Sequence, residues 1–271
     1  MAEKTGQNSF FRKFTGPVTD GLARSLKKTI PGITADDITQ AGFWGVALGA
    51  ALAVIPKELT PGVNTTPIAL AFMAGGTSLD ALDGAMARVL GTTSINGALL
   101  DTLVDRKQES VLALSRIVSA SLRKDSFGVM VATLAGVTNP LPSFLRSKVE
   151  KKGYFVPESG AKWVSFFGTR PMRALFGILG TAIPETHFPG LENPTLQPAL
   201  DTLSALSNIF TTFERANILA QANNGQLKTN PDEAAQQLGI LKSKELSKYI
   251  AVNTALMIVV GTIGLFNTFQ Q

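Results

Sequence analysis

The sequence has no cysteine and a single histidine among its 271 residues. Disulfides, zinc–thiolate centres and cysteine nucleophiles are thereby excluded. The lone His187 sits in the Pro-rich stretch "PETHFPGLENP" and argues against a Ser-His-Asp triad or a multi-histidine metal site. Charge is scarce too: Asp, Glu, Lys and Arg make up 17% of the chain, against about a quarter in an ordinary soluble domain. Hydrophobic residues reach 45% and the mean hydropathy is +0.19. That balance points to a membrane, with a very apolar soluble helical protein as the alternative. The net charge of +5 is modest, and outside "FFRKF" the basic residues are not interleaved with aromatics. No nucleic-acid partner is expected. The N-terminus is polar and basic and lacks the apolar core and cleavage site of a signal peptide.

What is present is a series of apolar stretches with helical spacing. Residues 9–30 alternate basic and apolar positions, as an amphipathic helix on an anionic membrane surface would; a surface helix of a soluble domain has the same pattern. "AGFWGVALGAALAVIP" (41–56) is apolar all round and rich in small residues, as closely packed membrane helices are. Further apolar stretches cover 67–90, 95–122, 127–145, 170–183 and 196–213. The clearest span is 249–266, which carries no charge. The polar stretch 221–248 is expected to be a loop with a short helix.

The positive-inside rule gives the topology. With the N-terminus in the cytoplasm, the cytoplasmic segments hold Lys4, Arg12, Lys13, Arg24, Lys27 and Lys28, then Arg146, Lys148, Lys151, Lys152 and Lys162, then Lys228, Lys242, Lys244 and Lys248. The outer loops hold Lys57, Arg123 and Lys124. The same topology puts the end of the second span and the start of the third on the cytoplasmic side.

Those two pieces carry an unusual acidic cluster. Asp80 and Asp83 share one helix face, and so do Asp101 and Asp105. The short link from Gly91 to Ser94 makes the two helices antiparallel neighbours, so four carboxylates converge near the membrane interface. Together at low dielectric they repel one another and need cations. Oxygen-only ligands suit Mg2+, Mn2+ or Ca2+. Such a site suits the handling of phosphate or diphosphate groups. Gly84 and Ala87 beside the first pair, and Gly97 ahead of the second, leave room for a flat ring. Arg88 matches the geometry of a diphosphate oxygen. The competing reading is a soluble bundle in which these aspartates pair with Arg88 and Arg106.

The spacing Asp80-x-x-Asp83-Gly84-x-x-Ala87-Arg88, then Gly97-x-x-x-Asp101-x-x-x-Asp105, resembles the signature of the CDP-alcohol phosphatidyltransferase family at every defined position. The resemblance implies an all-α fold, a polytopic transmembrane helical bundle. The core would have six helices; by composition the apolar segment 249–266 departs from that pattern as an extra C-terminal span, and residues 9–30 read as an N-terminal interfacial amphipathic helix. The chain then divides into an amphipathic segment over 1–36, a phosphatidyltransferase membrane core over 37–222, a cytoplasmic loop over 223–248 and an additional transmembrane helix over 249–271.

The resemblance also implies an activity: transfer of a phosphatidyl group from a CDP-lipid, such as CDP-diacylglycerol, to a small alcohol with release of CMP. Asp80, Asp83 and Asp101 would hold two divalent ions, Mg2+ or Mn2+. Asp105 would complete the site and act as the base on the acceptor hydroxyl. Gly84, Ala87 and Arg88 would line the CDP pocket. A homodimer in the cytoplasmic membrane, with the site facing the cytoplasm, is the family expectation.

A weaker similarity concerns the acceptor. "GITADDITQAG" resembles the opening of the first span in phosphatidylinositol-phosphate synthases, with Asp36 and Thr39 in place to touch the nucleotide and Ala35 where that branch has proline. Asp36 or Thr34 could equally cap the helix. "PSFLRSKVE" and "RPMR" resemble the acceptor-binding elements of the same branch, although Met172 replaces a glutamate. They nominate Ser143, Arg146, Lys148, Arg170 and Arg173 to receive the phosphate of inositol phosphate. A basic loop that only obeys the positive-inside rule or binds lipid head groups is the alternative. Glycerol phosphate is the alternative acceptor, and a soluble magnesium-dependent isoprenoid synthase is the alternative class.

Overall fold

The computed structural model describes residues 10–154, 170–182, 196–225 and 233–270. The Pro-rich stretch around His187 lies outside these residues. Helix α1 (Phe10–Thr29) precedes α2 (Ala35–Ala53), α3 (Thr65–Leu90) and α4 (Ile95–Leu122). They are followed by α5 (Ser126–Thr138), α6 (Leu141–Glu150), α7 (Arg170–Ala182), α8 (Leu196–Asn223) and α9 (Glu233–Phe269). Among the described residues there is no β-strand.

Local signals start and stop these helices. Thr34 is the N-cap of α2, and its hydroxyl accepts the Asp37 N–H while the Asp37 carboxylate accepts the Thr34 N–H at 2.9 Å, a capping box. Asn64, Ser94 and Asp125 cap α3, α4 and α5 through their side chains. Gly91 ends α3 in the left-handed region at φ 68°, where glycine carries no steric cost, and so turns the chain back into α4. The apolar run over 127–145 is divided at Asn139–Pro140 into α5 and α6, because Pro140 has no N–H to continue the helical ladder. The carbonyls left over at the break find partners on neighbouring helices. Asn253 Nδ2 donates to the Gly136 carbonyl at 3.0 Å, and Arg106 Nη1 reaches the Asn139 carbonyl at 3.5 Å. The Asn139 side chain is held as well, its Oδ1 accepting from Asn208 Nδ2 at 2.5 Å.

Helices α2 and α3 run antiparallel in backbone contact. A Cβ added at Gly42 would stand 2.8 Å from the Gly76 carbonyl oxygen, and one at Gly76 would stand 2.6 Å from that of Gly42. The small residues of the first span therefore set the interhelix distance. Helix α4 lies at the centre, against α2, α5, α7 and α9. Its inner face is polar: Arg116 Nε pairs with Asp201 Oδ1 of α8 at 2.6 Å, and Ser115 donates to the Ala50 carbonyl at 3.0 Å.

The last helix differs from the sequence expectation over 233–248. Those residues are not a loop with a separate short helix but the opening turns of α9, which continues unbroken to Phe269. Nor is α9 peripheral. Tyr249 donates to the Arg106 carbonyl at 2.7 Å and meets Ser110, which donates to Asn253 at 2.6 Å. Near the other end, Asn267 donates to Ser121 Oγ at 2.9 Å.

The outer surface is the apolar one. Trp44, Phe72, Met130, Phe213, Val252 and Phe266 are all exposed, while the ion pairs Arg106–Glu109 and Arg116–Asp201 are buried. Water does not favour that distribution, and a lipid bilayer does. The segments Ser126–Glu150 and Gln236–Phe269 are long and apolar enough to cross a membrane on their own composition. The fold is an all-α, polytopic transmembrane bundle preceded by an amphipathic helix.

Candidate active site

At one end of the bundle, α3 and α4 bring their aspartates together. Asp80, Asp101 and Asp105 each present an oxygen, and these atoms lie within 4.8 Å of one another. Asp80 and Asp101 are half-buried, and Asp105 is 6% exposed. A divalent cation with oxygen ligands at about 2.0–2.6 Å holds those oxygens no more than about 5 Å apart. The carboxylate set therefore fits such an ion, and an all-oxygen donor set selects Mg2+, Mn2+ or Ca2+ over zinc.

Asp83 stands beside the triplet, in electrostatic reach of Asp80 and Asp101. It is 6% exposed, and its Oδ2 accepts the Thr39 hydroxyl at 2.5 Å. The glycine contact of α2 and α3 makes this bond possible: Thr39 precedes Gly42 by one turn, and Asp83 follows Gly76 by two. Thr39 thus belongs to the site, through a carboxylate. Asp36 lies exposed on the first turn of α2, and the capping role falls to Thr34.

One turn beyond Asp83, the Arg88 side chain lies over Gly84, where an added Cβ would meet Nη1 at 3.5 Å. Arg88 Nη2 also pairs with Asp20 of α1 at 3.0 Å. Ala87 is half-buried beside it. Gly97 occupies the third position of α4, its N–H donating to Ser94 Oγ at 2.9 Å.

The basic candidates divide. Arg146 is half-buried near the end of α6, with Nε on Glu150 at 2.7 Å. Lys148 is turned to the Phe144 ring at 4.9 Å, and Ser143 is half-buried on the same helix. Arg170 and Arg173 begin α7, and their side chains lie outside the described residues.

One residue that sequence reasoning missed joins them. Lys242 of α9 lies within electrostatic reach of Glu150, Arg146, Asp101 and Asp105. Its approach follows from Gly239, where a Cβ would stand 2.7 Å from the Glu150 carbonyl carbon, so α9 rides directly on the end of α6. In the sequence the only signal was a lysine two turns ahead of an uncharged span. Glu150 and Asp20 were missed for a related reason: each pairs with a candidate residue through a contact that residue spacing in the motifs does not announce.

The geometry thus gathers carboxylates, a guanidinium and a second cationic group at one end of the bundle. The family model for CDP-alcohol phosphatidyltransferases matches residues 34–178, the stretch that supplies the acidic cluster and most of these helices. The chain belongs to the CDP-alcohol phosphatidyltransferase family.

Among its relatives, the phosphatidylinositol phosphate synthase of Mycobacterium marinum is 28% identical over 200 residues, covering 73% of this chain and 77% of that protein. The archaetidylinositol phosphate synthase of Pyrococcus horikoshii is 30% identical over 122 residues, covering 45% of this chain and 58% of that one. The fold is similar to the crystal structure of the Mycobacterium tuberculosis phosphatidylinositol phosphate synthase with CDP-DAG bound. The TM-score is 0.58 and the identity 22%, over 75% of this chain and 94% of that one. The same enzyme in complex with manganese and citrate gives a TM-score of 0.58 at 20% identity, over 80% of this chain and 98% of that one.

Proposed function

We propose that this enzyme transfers the phosphatidyl group of CDP-diacylglycerol to inositol phosphate and releases CMP. The observation that carries the reading is the carboxylate triplet of Asp80, Asp101 and Asp105, whose oxygens lie within 4.8 Å, with cationic side chains on both flanks. Asp80, Asp83 and Asp101 would hold two divalent ions, Mg2+ or Mn2+, with Asp105 completing the set. Such ions would supply positive charge against the diphosphate and the leaving CMP.

The chain's own residues do the rest. Arg88, with Gly84, Ala87 and Gly97 leaving room beside it, orients the CDP moiety; Asp36 and Thr39 border the nucleotide end. Asp105 takes the proton of the acceptor hydroxyl as the hydroxyl oxygen bonds to the phosphatidyl phosphorus and the bond to CMP breaks. Arg146 and Lys242 receive the phosphate of the acceptor, with Ser143, Lys148, Arg170 and Arg173 around them. Two neighbouring cations beside the metal site favour an acceptor that is itself phosphorylated.

The basic flanks and the positive-inside pattern support a site that faces the cytoplasm from the cytoplasmic membrane. Membrane lipids and a second copy of the chain are the expected neighbours of the exposed apolar faces. The test is CMP release by the purified protein from CDP-diacylglycerol with inositol phosphate, glycerol phosphate or serine. Turnover with inositol phosphate is expected; turnover with glycerol phosphate alone would overturn the acceptor assignment and leave the chemistry standing.

A further inference from the structure

We propose that Asp20, on the interfacial helix α1, is a positioning residue for Arg88, a role that rests on Arg88 gripping the diphosphate of the CDP-lipid. Asp20 Oδ1 accepts from Arg88 Nη2 at 3.0 Å, across 68 residues of sequence. The contact is anchored. Ala23 of α1 is wholly buried in a cluster with Leu82, Ala85 and Met86 of α3, and Leu26 packs on the same cluster. Asp20 lies three residues before Ala23 and so shares the face turned to α3.

The guanidinium is thereby held at one edge. Nη1 lies over Gly84, and Nη2 is held by α1. An unsupported arginine at a helix end samples many rotamers, and each must be given up when a ligand is bound. A carboxylate that occupies one edge leaves the remaining N–H donors aimed and available, the arrangement a planar guanidinium needs to grip a diphosphate. The two side chains are 39% and 36% exposed, so the pair adds little to stability and its effect is orientation.

Helix α1 also has a surface suited to the bilayer. Val18 and Leu22 are exposed on it, as are Arg24, Lys27 and Lys28, the composition of a helix lying on an anionic membrane surface. Asp20 thus ties the placement of Arg88 to the seating of α1.

The experiment is steady-state kinetics of Asp20→Asn, Arg88→Ala and the double variant in anionic mixed micelles, with CDP-diacylglycerol varied at saturating acceptor. Asp20→Asn is expected to raise KM for the CDP-lipid roughly threefold, the scale of a half-exposed ion pair, with kcat little changed. It should add nothing in the Arg88→Ala background, and Asp20→Glu should restore part of the loss. If Arg88→Ala raises KM while Asp20→Asn leaves it unaltered or lowers it, Asp20 does not position Arg88. If Arg88→Ala itself leaves KM unaltered, the reading of Arg88 fails and the proposal falls with it.

Discussion

The Thr39 hydroxyl donates to Asp83 Oδ2 at 2.5 Å, joining the first turns of α2 to the acidic end of α3 across 44 residues of sequence. Asp83 is 6% exposed, so this bond fixes which way a buried carboxylate faces. Thr39→Val keeps the shape and removes the donor. It is expected to destabilise the protein by about 1–3 kcal/mol, the cost of an unsatisfied buried acceptor, and to weaken divalent-ion affinity about 10–100-fold, as loss of a ligand-orienting partner does. Thermal unfolding in detergent and titration of activity with Mn2+ measure the two effects. Thr39→Ser should recover most of both.

Asp105 is the carboxylate assigned to the acceptor proton. Asp105→Asn preserves the side-chain volume and removes the base. CMP release should fall about 10²–10⁴-fold, with helicity and oligomeric behaviour as in the wild type. A variant that turns over within a few-fold of wild type would move the base elsewhere.

Lys242 should discriminate between the two substrates. It lies within electrostatic reach of Arg146, Asp101 and Asp105, on a helix that the family-matched region of 34–178 does not include. Lys242→Gln is expected to raise KM for the phosphorylated acceptor roughly tenfold, the worth of one charge-assisted contact, and to leave KM for CDP-diacylglycerol nearly unchanged. Equal effects on both substrates would place Lys242 on the donor side.

The glycine contact beneath the site makes a structural prediction. A Cβ at Gly76 would stand 2.6 Å from the Gly42 carbonyl and 2.7 Å from the Val46 nitrogen, backbone atoms that cannot swing aside. Gly76→Ala should force α2 and α3 apart, at a cost of about 1–3 kcal/mol. It should lose activity beyond that loss of stability, since Thr39 moves away from Asp83. Gly75→Ala, with open space around it, is the matched control and should behave as wild type.

The acidic cluster was legible in the sequence because its information is local. Two Asp pairs at helical spacing, joined by a short turn at Gly91, have one way to meet. The small-residue character of 41–56 likewise announced the contact that the structure places at Gly42 and Gly76. Lys242 was not legible, because it reaches the site only through the packing of Gly239 on Glu150, a relation between segments almost ninety residues apart. Residues 233–248 read as a loop with a short helix because their polar side chains hide a long helix that is anchored by its C-terminal half. Tyr249, Asn253 and Asn267 lock α9 onto the bundle, and the preceding turns extend that helix. Lys148 illustrates the converse limit: its place in the basic motif was visible, and its turn onto Phe144 was not.

The central claim is that the carboxylates of Asp80, Asp83, Asp101 and Asp105 act by holding divalent cations against a CDP-lipid. The most direct measurement is CMP release from CDP-diacylglycerol by the purified protein in excess chelator, followed by addition of Mg2+ or Mn2+, in wild type and in Asp101→Asn. The account predicts no release in chelator, recovery in the wild type when either ion is supplied, and no recovery in Asp101→Asn. CMP release that continues undiminished in chelator would contradict it.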